Sequence, residues 1–270
     1  MKNKVVIITG GSSGIGKALA LNLGGCGAKI VISGRDEKKL LEAHQELSDL
    51  GIDCLAVVSD VSNASDVETL INETVTKYGQ IDILINNAGI TMRGLLIDTA
   101  PSVLQKVMDV NYMGTVYATK AALPHLLKTK GVIVGITSIA GYHGLPVRSG
   151  YSASKFAMNG FLEAVRTELR HTGVHVLLAA PGFVRSNIRV AALDTAGQVA
   201  GESVRDENNM MTPETCAEII VNAIRKRKRS VVMTLMGNLI VFFNRWWPSL
   251  VDRAVYSQLA KEKNSPLAKR

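Results

Sequence analysis

Cysteine is scarce in this chain: its 270 residues hold three, Cys26, Cys54 and Cys216, far apart and without a Cys-x-x-Cys pair. An odd, scattered set excludes a disulfide framework and a cysteine metal centre, and no metal is called for elsewhere. There is no long apolar run of the kind a secretory leader needs, because Val5–Thr9 is short and meets glycines at once. No repeat, low-complexity linker or shift of composition divides the chain. No helix-turn-helix or zinc pattern accompanies its positive charge, which leaves a nucleic-acid partner without support. The expectation is a reduced, cytoplasmic protein of one domain.

What is present is ordinary globular composition, 47% hydrophobic and 20% charged, with a net charge of +8. The excess favours anionic partners such as phosphorylated cofactors or acidic membrane surfaces. Much of it lies late, in Arg225–Arg229 and in Lys261, Lys263, Lys269 and Arg270. A solvated helix end is the plainer account of the Arg225–Arg229 run.

Short apolar runs alternate with amphipathic stretches, the order produced by parallel strands joined through helical crossovers. Strands are expected at Val5–Thr9, Lys29–Ser33, Asp53–Val58, Ile81–Asn86, Val132–Ser138, Val174–Ala180 and Ser230–Leu235, apolar on both faces as in a sheet covered on both sides. Helices are expected at Ile15–Gly24, Glu37–Leu50, Ala64–Tyr78, Pro101–Lys128, Tyr151–His171 and Thr212–Arg227. Boundary signals support several of them, including Pro101 at the start of the fourth and Thr212-Pro213-Glu214 at the start of the sixth. The fold class is α/β, a doubly wound, seven-stranded parallel sheet.

The first strand runs into Thr9-Gly10-Gly11-Ser12-Ser13-Gly14-Ile15-Gly16 and then a helix. Glycines at 10, 14 and 16 permit a tight turn and a close approach of backbone N–H groups to a pyrophosphate. The spacing is Gly-x-x-x-Gly-x-Gly, not the commoner Gly-x-Gly-x-x-Gly, and a turn without ligand would look the same. At the tip of the second strand, Ser33-Gly34-Arg35 offers no acid for a ribose hydroxyl. Arg35 is a planar cation suited to a 2′-phosphate, which points to NADP(H); the bland alternative is that it pairs with Asp36.

Tyr151-Ser152-Ala153-Ser154-Lys155 sets a phenol and an ammonium one turn apart on one helix face. A nearby cation favours phenolate and brings Tyr151 toward the range where it can serve as acid and base. Ser138, ending a buried strand at its carboxyl edge, stands on the rim where ligands bind in open α/β sheets.

With Asp60-Val61, Asn86-Asn87-Ala88-Gly89, Asn111 and Pro181-Gly182 added, the chain resembles the short-chain dehydrogenase/reductase family from Lys4 to about Leu235. The resemblance implies a Rossmann-type catalytic domain over 1–235, a substrate lid near 186–211 and a C-terminal extension over 236–270. It implies that Asp60 and Val61 contact the adenine, that Asn87, Ala88 and Gly89 support the cofactor ribose, and that Pro181, Gly182 and Val184 flank the nicotinamide. Asn111 would hold a water in a proton relay, Ser138 would orient the carbonyl, Tyr151 would protonate it, and Lys155 would bind the nicotinamide ribose. Two departures stand out: Ser13 occupies a place often basic in NADP-preferring members, and Ser186 replaces a threonine after Pro-Gly. The function implied is reduction of a carbonyl or oxidation of a secondary alcohol, in a homodimer or homotetramer built on the fourth and fifth helices. A cofactor-sensing regulator that has lost catalysis is the alternative, and the complete Asn111, Ser138, Tyr151 and Lys155 set speaks against it.

Met92, Tyr142, Leu145, Pro146 and Phe183, with Ile188, Val190, Leu193, Met210 and Met211 of the lid, suggest a lipophilic ketone of the 3-ketosphinganine, 3-ketoacyl or ketosteroid type, although core packing would explain many of them. The run Met236–Pro248 is rich in aromatics but interrupted by Asn238, Asn244 and Arg245 and shorter than the roughly 20 residues of a spanning helix. It is expected to cover the site, meet another subunit, or touch a membrane surface peripherally.

Overall fold

A computed structural model describes residues 1–186, 188–199, 201, 210–262 and 264–269. Seven strands, β1 (Val5–Thr9), β2 (Lys29–Gly34), β3 (Cys54–Val58), β4 (Ile83–Asn86), β5 (Val132–Ile136), β6 (His175–Ala180) and β7 (Ser230–Val232), form one parallel sheet in the order β3-β2-β1-β4-β5-β6-β7. The order reverses between β1 and β4, whose register pairs Val6 with Ile83 and Ile8 with Ile85. A crevice opens at the carboxyl ends of strands at such a reversal.

Strand period two divides the core. Val6, Ile8, Ile30 and Ile32 face α1 (Gly14–Gly25), α2 (Glu37–Asp49) and α7 (Pro213–Arg225). Val5, Ile7, Val31 and Leu84 face the other way, toward α3 (Ala64–Tyr78), α5 (Gly114–Thr129) and α6 (Ser149–Glu168). Side-chain caps fix helix starts: Asp36 accepts from Lys39 N, Asn63 from Ser65 N and Thr212 from Thr215 N.

Several expected boundaries move by one to three residues, and two changes have a visible cause. The span Pro101–Lys128 is not one helix: α4 (Pro101–Met108) passes through a π turn at Asp109–Met113 into α5. The extra residue lets Gly114 press against Val61, where a Cβ would sit 2.8 Å from Val61 Cγ2, while Asn111 turns inward. The last strand stops at Val232 because Thr234 caps α8 (Leu235–Trp246), accepting from Gly237 N at 3.0 Å.

The C-terminal run folds as α8 and α9 (Pro248–Ala260), broken where Pro248 cannot continue a helix. Ile240 and Phe243 of α8 join Val251, Val255 and Leu259 of α9 in a separate cluster around Leu145 and Val147. The opposite face of α8 leaves Leu235, Leu239, Phe242 and Trp246 exposed, at spacings of four, three and four residues. Among the described residues no helix is long and apolar enough to cross a membrane.

Candidate active site

A crevice of about 670 Å³ runs along the carboxyl ends of β1, β2, β4, β5 and β6, from Gly10 and Arg35 at one end to Tyr151 and Arg189 at the other. Gly10 and Gly14 have φ of +65° and +53°, conformations that suit glycine. A Cβ on Gly10 would lie 2.9 Å from Ala88 Cα, and one on Gly16 would collide with the Gly10 carbonyl. Asn87 stitches this turn to β4: its Nδ2 donates to Thr9 O and Gly10 O at 2.9 Å, while Thr9 Oγ1 accepts from the backbone N–H groups of Asn87 and Ala88 at 3.0 Å.

Unlike α2, α3 and α7, the first helix has neither a side-chain cap, at Ser13, nor an acidic residue in its first turn. Its N–H dipoles face the crevice lined by Ser12, Ser13, Gly14 and Ile15. Among the described residues a Cβ on Gly14 would meet just one neighbour, Ser186 Cβ at 3.5 Å, so backbone lies open to a ligand there. These features fit a pyrophosphate.

At the tip of β2, Gly34 and Arg35 line the crevice, joined by Lys39, which sequence reasoning did not single out. Arg35 is half exposed, and its guanidinium lies 3.7 Å from Asp60 Oδ2 rather than on Asp36, which caps α2 and pairs with Lys39. Burial raises the Asp60 carboxyl, but hydrogen bonds from Ser62 and the charge of Arg35 outweigh it and hold Asp60 below the usual carboxylate range. Asp60 thus borders the crevice through Arg35, while Val61 lines it directly. Ser33 is fully buried within β2 and does not line the crevice; its carbonyl accepts from Gly11 N.

At the other end Ala88, Gly89, Pro181, Gly182, Val184 and Ser186 all line the crevice with Ser138, Tyr151 and Lys155. Ser138 caps the short turn after β5, accepting from Ala140 N at 3.1 Å, and hydrogen-bonds Tyr151. Lys155 Nζ lies 5.8 Å from the centre of the Tyr151 ring and donates to Ile136 O at 2.9 Å. Asn111, at the π turn, is fully buried and outside the lining; its Nδ2 donates to Ile90 O and Ser154 Oγ, and its Oδ1 accepts from Ile90 N. With both amide hydrogens engaged, the side chain acts as a brace on the loop after β4.

The electrostatics are richer than a Tyr–Lys pair. Burial pushes the Tyr151 phenol upward, opposed by the Ser138 hydrogen bond and by the charges of Arg148 and Arg189. Burial also pulls Lys155 down to about 7, so its charge depends on pH. Both arginines line the crevice, and the sequence reading had named neither. Arg148 stands three residues before Tyr151, a spacing that could have flagged it; Arg189 lies in the variable segment, where spacing carries no signal.

Of the expected apolar residues, Leu145, Phe183 and Ile188 line the crevice, whereas Met92 and Leu193 pack with Val103 and Val107 in the core. Asn187, Ala200 and residues 202–209 of the expected lid lie outside the described residues.

Residues 4–196 match the family model of short chain dehydrogenases. The chain is 35% identical to dehydrogenase/reductase SDR family member 7B of Danio rerio, over 97% of this chain and 87% of that protein. It is 37% identical to the Xenopus laevis protein of that name, over 96% and 82% respectively. A short-chain dehydrogenase/reductase from Burkholderia phymatum in complex with NAD superposes with a TM-score of 0.83 at 25% identity, covering 92% of this chain and 95% of that one. An alcohol dehydrogenase from Thermococcus sibiricus complexed with 5-hydroxy-NADP shares the fold, with a TM-score of 0.76 at 22% identity over 86% of this chain and 96% of that one.

Proposed function

The chain belongs to the short-chain dehydrogenase family, and on that premise we propose that it is an NADP(H)-dependent oxidoreductase acting between a lipophilic ketone and its secondary alcohol. The observation that carries this reading is the meeting of Ser138, Tyr151 and Lys155 in one crevice with the uncapped start of α1. NADPH, when bound, supplies the hydride. Ser138 donates a hydrogen bond to the substrate oxygen as negative charge grows on it, and Tyr151 hands its hydroxyl proton to that oxygen. Arg148 and Arg189 favour the phenolate left behind, and protonated Lys155 stands over the same ring.

Preference for NADP(H) over NAD(H) is supported by Arg35 and Lys39 at the tip of β2, where Asp36 also lines the crevice but is engaged in capping α2 and pairing with Lys39. One structural relative carries NAD and the other an NADP derivative, so the side chains at this tip are the better guide. Leu145, Phe183 and Ile188 support an apolar substrate of the 3-ketosphinganine, 3-ketoacyl or ketosteroid kind. Exposed Leu127 on α5 and Phe156 on α6 suit assembly of identical chains through those helices.

The exposed stripe of α8 is the surface for peripheral contact with an anionic membrane. Arg245 lies 6.0 Å from the Trp246 ring, and Arg253 of α9 is exposed. A second copy laid symmetrically on this face would oppose like charges, whereas an anionic lipid interface accepts both rings and cations.

Cofactor oxidation measured against 3-ketosphinganine, β-ketoacyl thioesters, ketosteroids and simple aldehydes tests the reading. Turnover with NADPH should exceed that with NADH by about tenfold or more, the worth of one charge-assisted hydrogen bond. Tyr151→Phe should lower kcat on the best substrate by about 10²–10⁴. A folded Tyr151→Phe protein that keeps most of its kcat would reject it.

A further inference from the structure

Leu145 and Arg148 line the crevice, and the segment that carries them, residues 142–148, is held from outside by the C-terminal helices. Asn244 of α8 donates to Tyr142 O at 3.0 Å and meets His143 Nδ1 at 2.8 Å. Val147 has φ of +60°, costly for a β-branched residue, and is buried among Val251, Val255, Leu259 and Leu267. Packing by α9 therefore holds a strained backbone immediately before Arg148.

Arg148 is itself buried, and its guanidinium lies 3.3 Å from Glu262 Oε2, a bond spanning 114 residues of sequence. The same oxygen lies 3.8 Å from Arg93 Nε. The Glu262 side chain is 3% exposed, so its carboxylate depends on these cations for its charge to be tolerated. Arg148 also lines the crevice one helical turn before Tyr151. A carboxylate from the C-terminal segment thus grips a cation that lines the same crevice as the phenol and whose charge acts on it.

We propose that Glu262 is a positioning residue of the active site: with the apolar face of α9, it fixes the Arg148 guanidinium beside Tyr151, which makes the C-terminal extension part of the acid–base apparatus. The inference rests on the reading of Tyr151 as the proton donor. Among the described residues the charged and hydrogen-bonding groups acting on Tyr151 are Ser138, Lys155, Arg148 and Arg189, so Glu262 acts through Arg148.

Sign separates positioning from simple proximity. Removing a negative charge near Tyr151, with everything else in place, would stabilise phenolate and lower the pH at which Tyr151 ionises. Releasing Arg148 would do the reverse. The measurement is near-ultraviolet tyrosinate titration of the full-length protein, with the Tyr151→Phe counterpart of each variant subtracted to isolate Tyr151. In Glu262→Gln the Tyr151 increment is expected at higher pH, with about three- to tenfold less phenolate at a given pH. Glu262→Asp should restore part of the change, and Glu214→Gln, at an exposed carboxylate on α7, should leave the titration where it was.

An unmoved or downward-shifted titration in Glu262→Gln overturns the proposal. If that variant does not fold, Glu262→Asp decides, since a shorter reach to Arg148 should still move the titration upward by a smaller amount, and no upward movement overturns the idea. The titration needs no substrate. An upward shift in a protein that reduces no carbonyl would therefore defeat the proposed function while leaving the Glu262–Arg148 link intact.

Discussion

Lys155 carries an amine into a buried place, where its Nζ meets Ile136 O at 2.9 Å and Met158 Sδ at 3.4 Å, and burial pulls its pKa down to about 7. In the unfolded chain a lysine titrates near ~10.4. Between these two values the unfolded state binds the extra proton, so this residue makes stability rise with pH across that window; below pH 7 both states are protonated and the full cost of the buried charge applies. Lys155→Met, which keeps much of the volume, should therefore be more stable than the parent at pH 6 by roughly 1–3 kcal/mol, after allowance for the lost bond to Ile136 O. The gap should close toward pH 10. Urea unfolding at several pH values checks this, and a gap that does not vary with pH would show that Lys155 is not a buried charge. That Tyr151, Lys155 and Ser138 meet at one crevice was legible in the sequence because a four-residue helix spacing and a strand end are local signals. Arg148's dependence on Glu262 was not, since no pattern in either segment announces a contact across 114 residues.

The π turn at Asp109–Met113 shows what periodicity conceals at the level of elements. Apolar spacing runs through Pro101–Lys128 without interruption, because one extra residue in a single turn alters the backbone and hardly disturbs the pattern. The turn directs Asn111 into the interior, where it braces Ile90 on both its N–H and its C=O. Asn111→Leu would leave these buried backbone groups and Ser154 Oγ without that partner, at a cost of about 2–4 kcal/mol. Chemical denaturation would measure the loss; a change below about 0.5 kcal/mol would mean that the loop after β4 is held by other contacts. The strands were read correctly in number and order of appearance because both faces of each are apolar, while β7 was drawn too long because the Thr234 cap lies inside its apolar run.

For the whole molecule, the seven-stranded parallel sheet and the glycine turn were legible together, since alternating strands and helices admit few arrangements. The chemistry of the substrate was not, because it depends on which loops and C-terminal side chains enter the crevice. The net charge of +8 and the outward stripe of α8 are the two features that support the proposed contact of the C-terminal helices with anionic lipid. Co-sedimentation with vesicles containing phosphatidylglycerol should exceed that with pure phosphatidylcholine vesicles and weaken with added salt. Phe242→Ser with Trp246→Ser should abolish the difference; equal recovery in the supernatant with both lipids would end the membrane reading. The bond from Glu262 to Arg148 has a consequence in time as well as in space. Glu262 is synthesised after all seven strands, so a nascent chain can assemble its sheet while the wall of its crevice still lacks the carboxylate that steadies it.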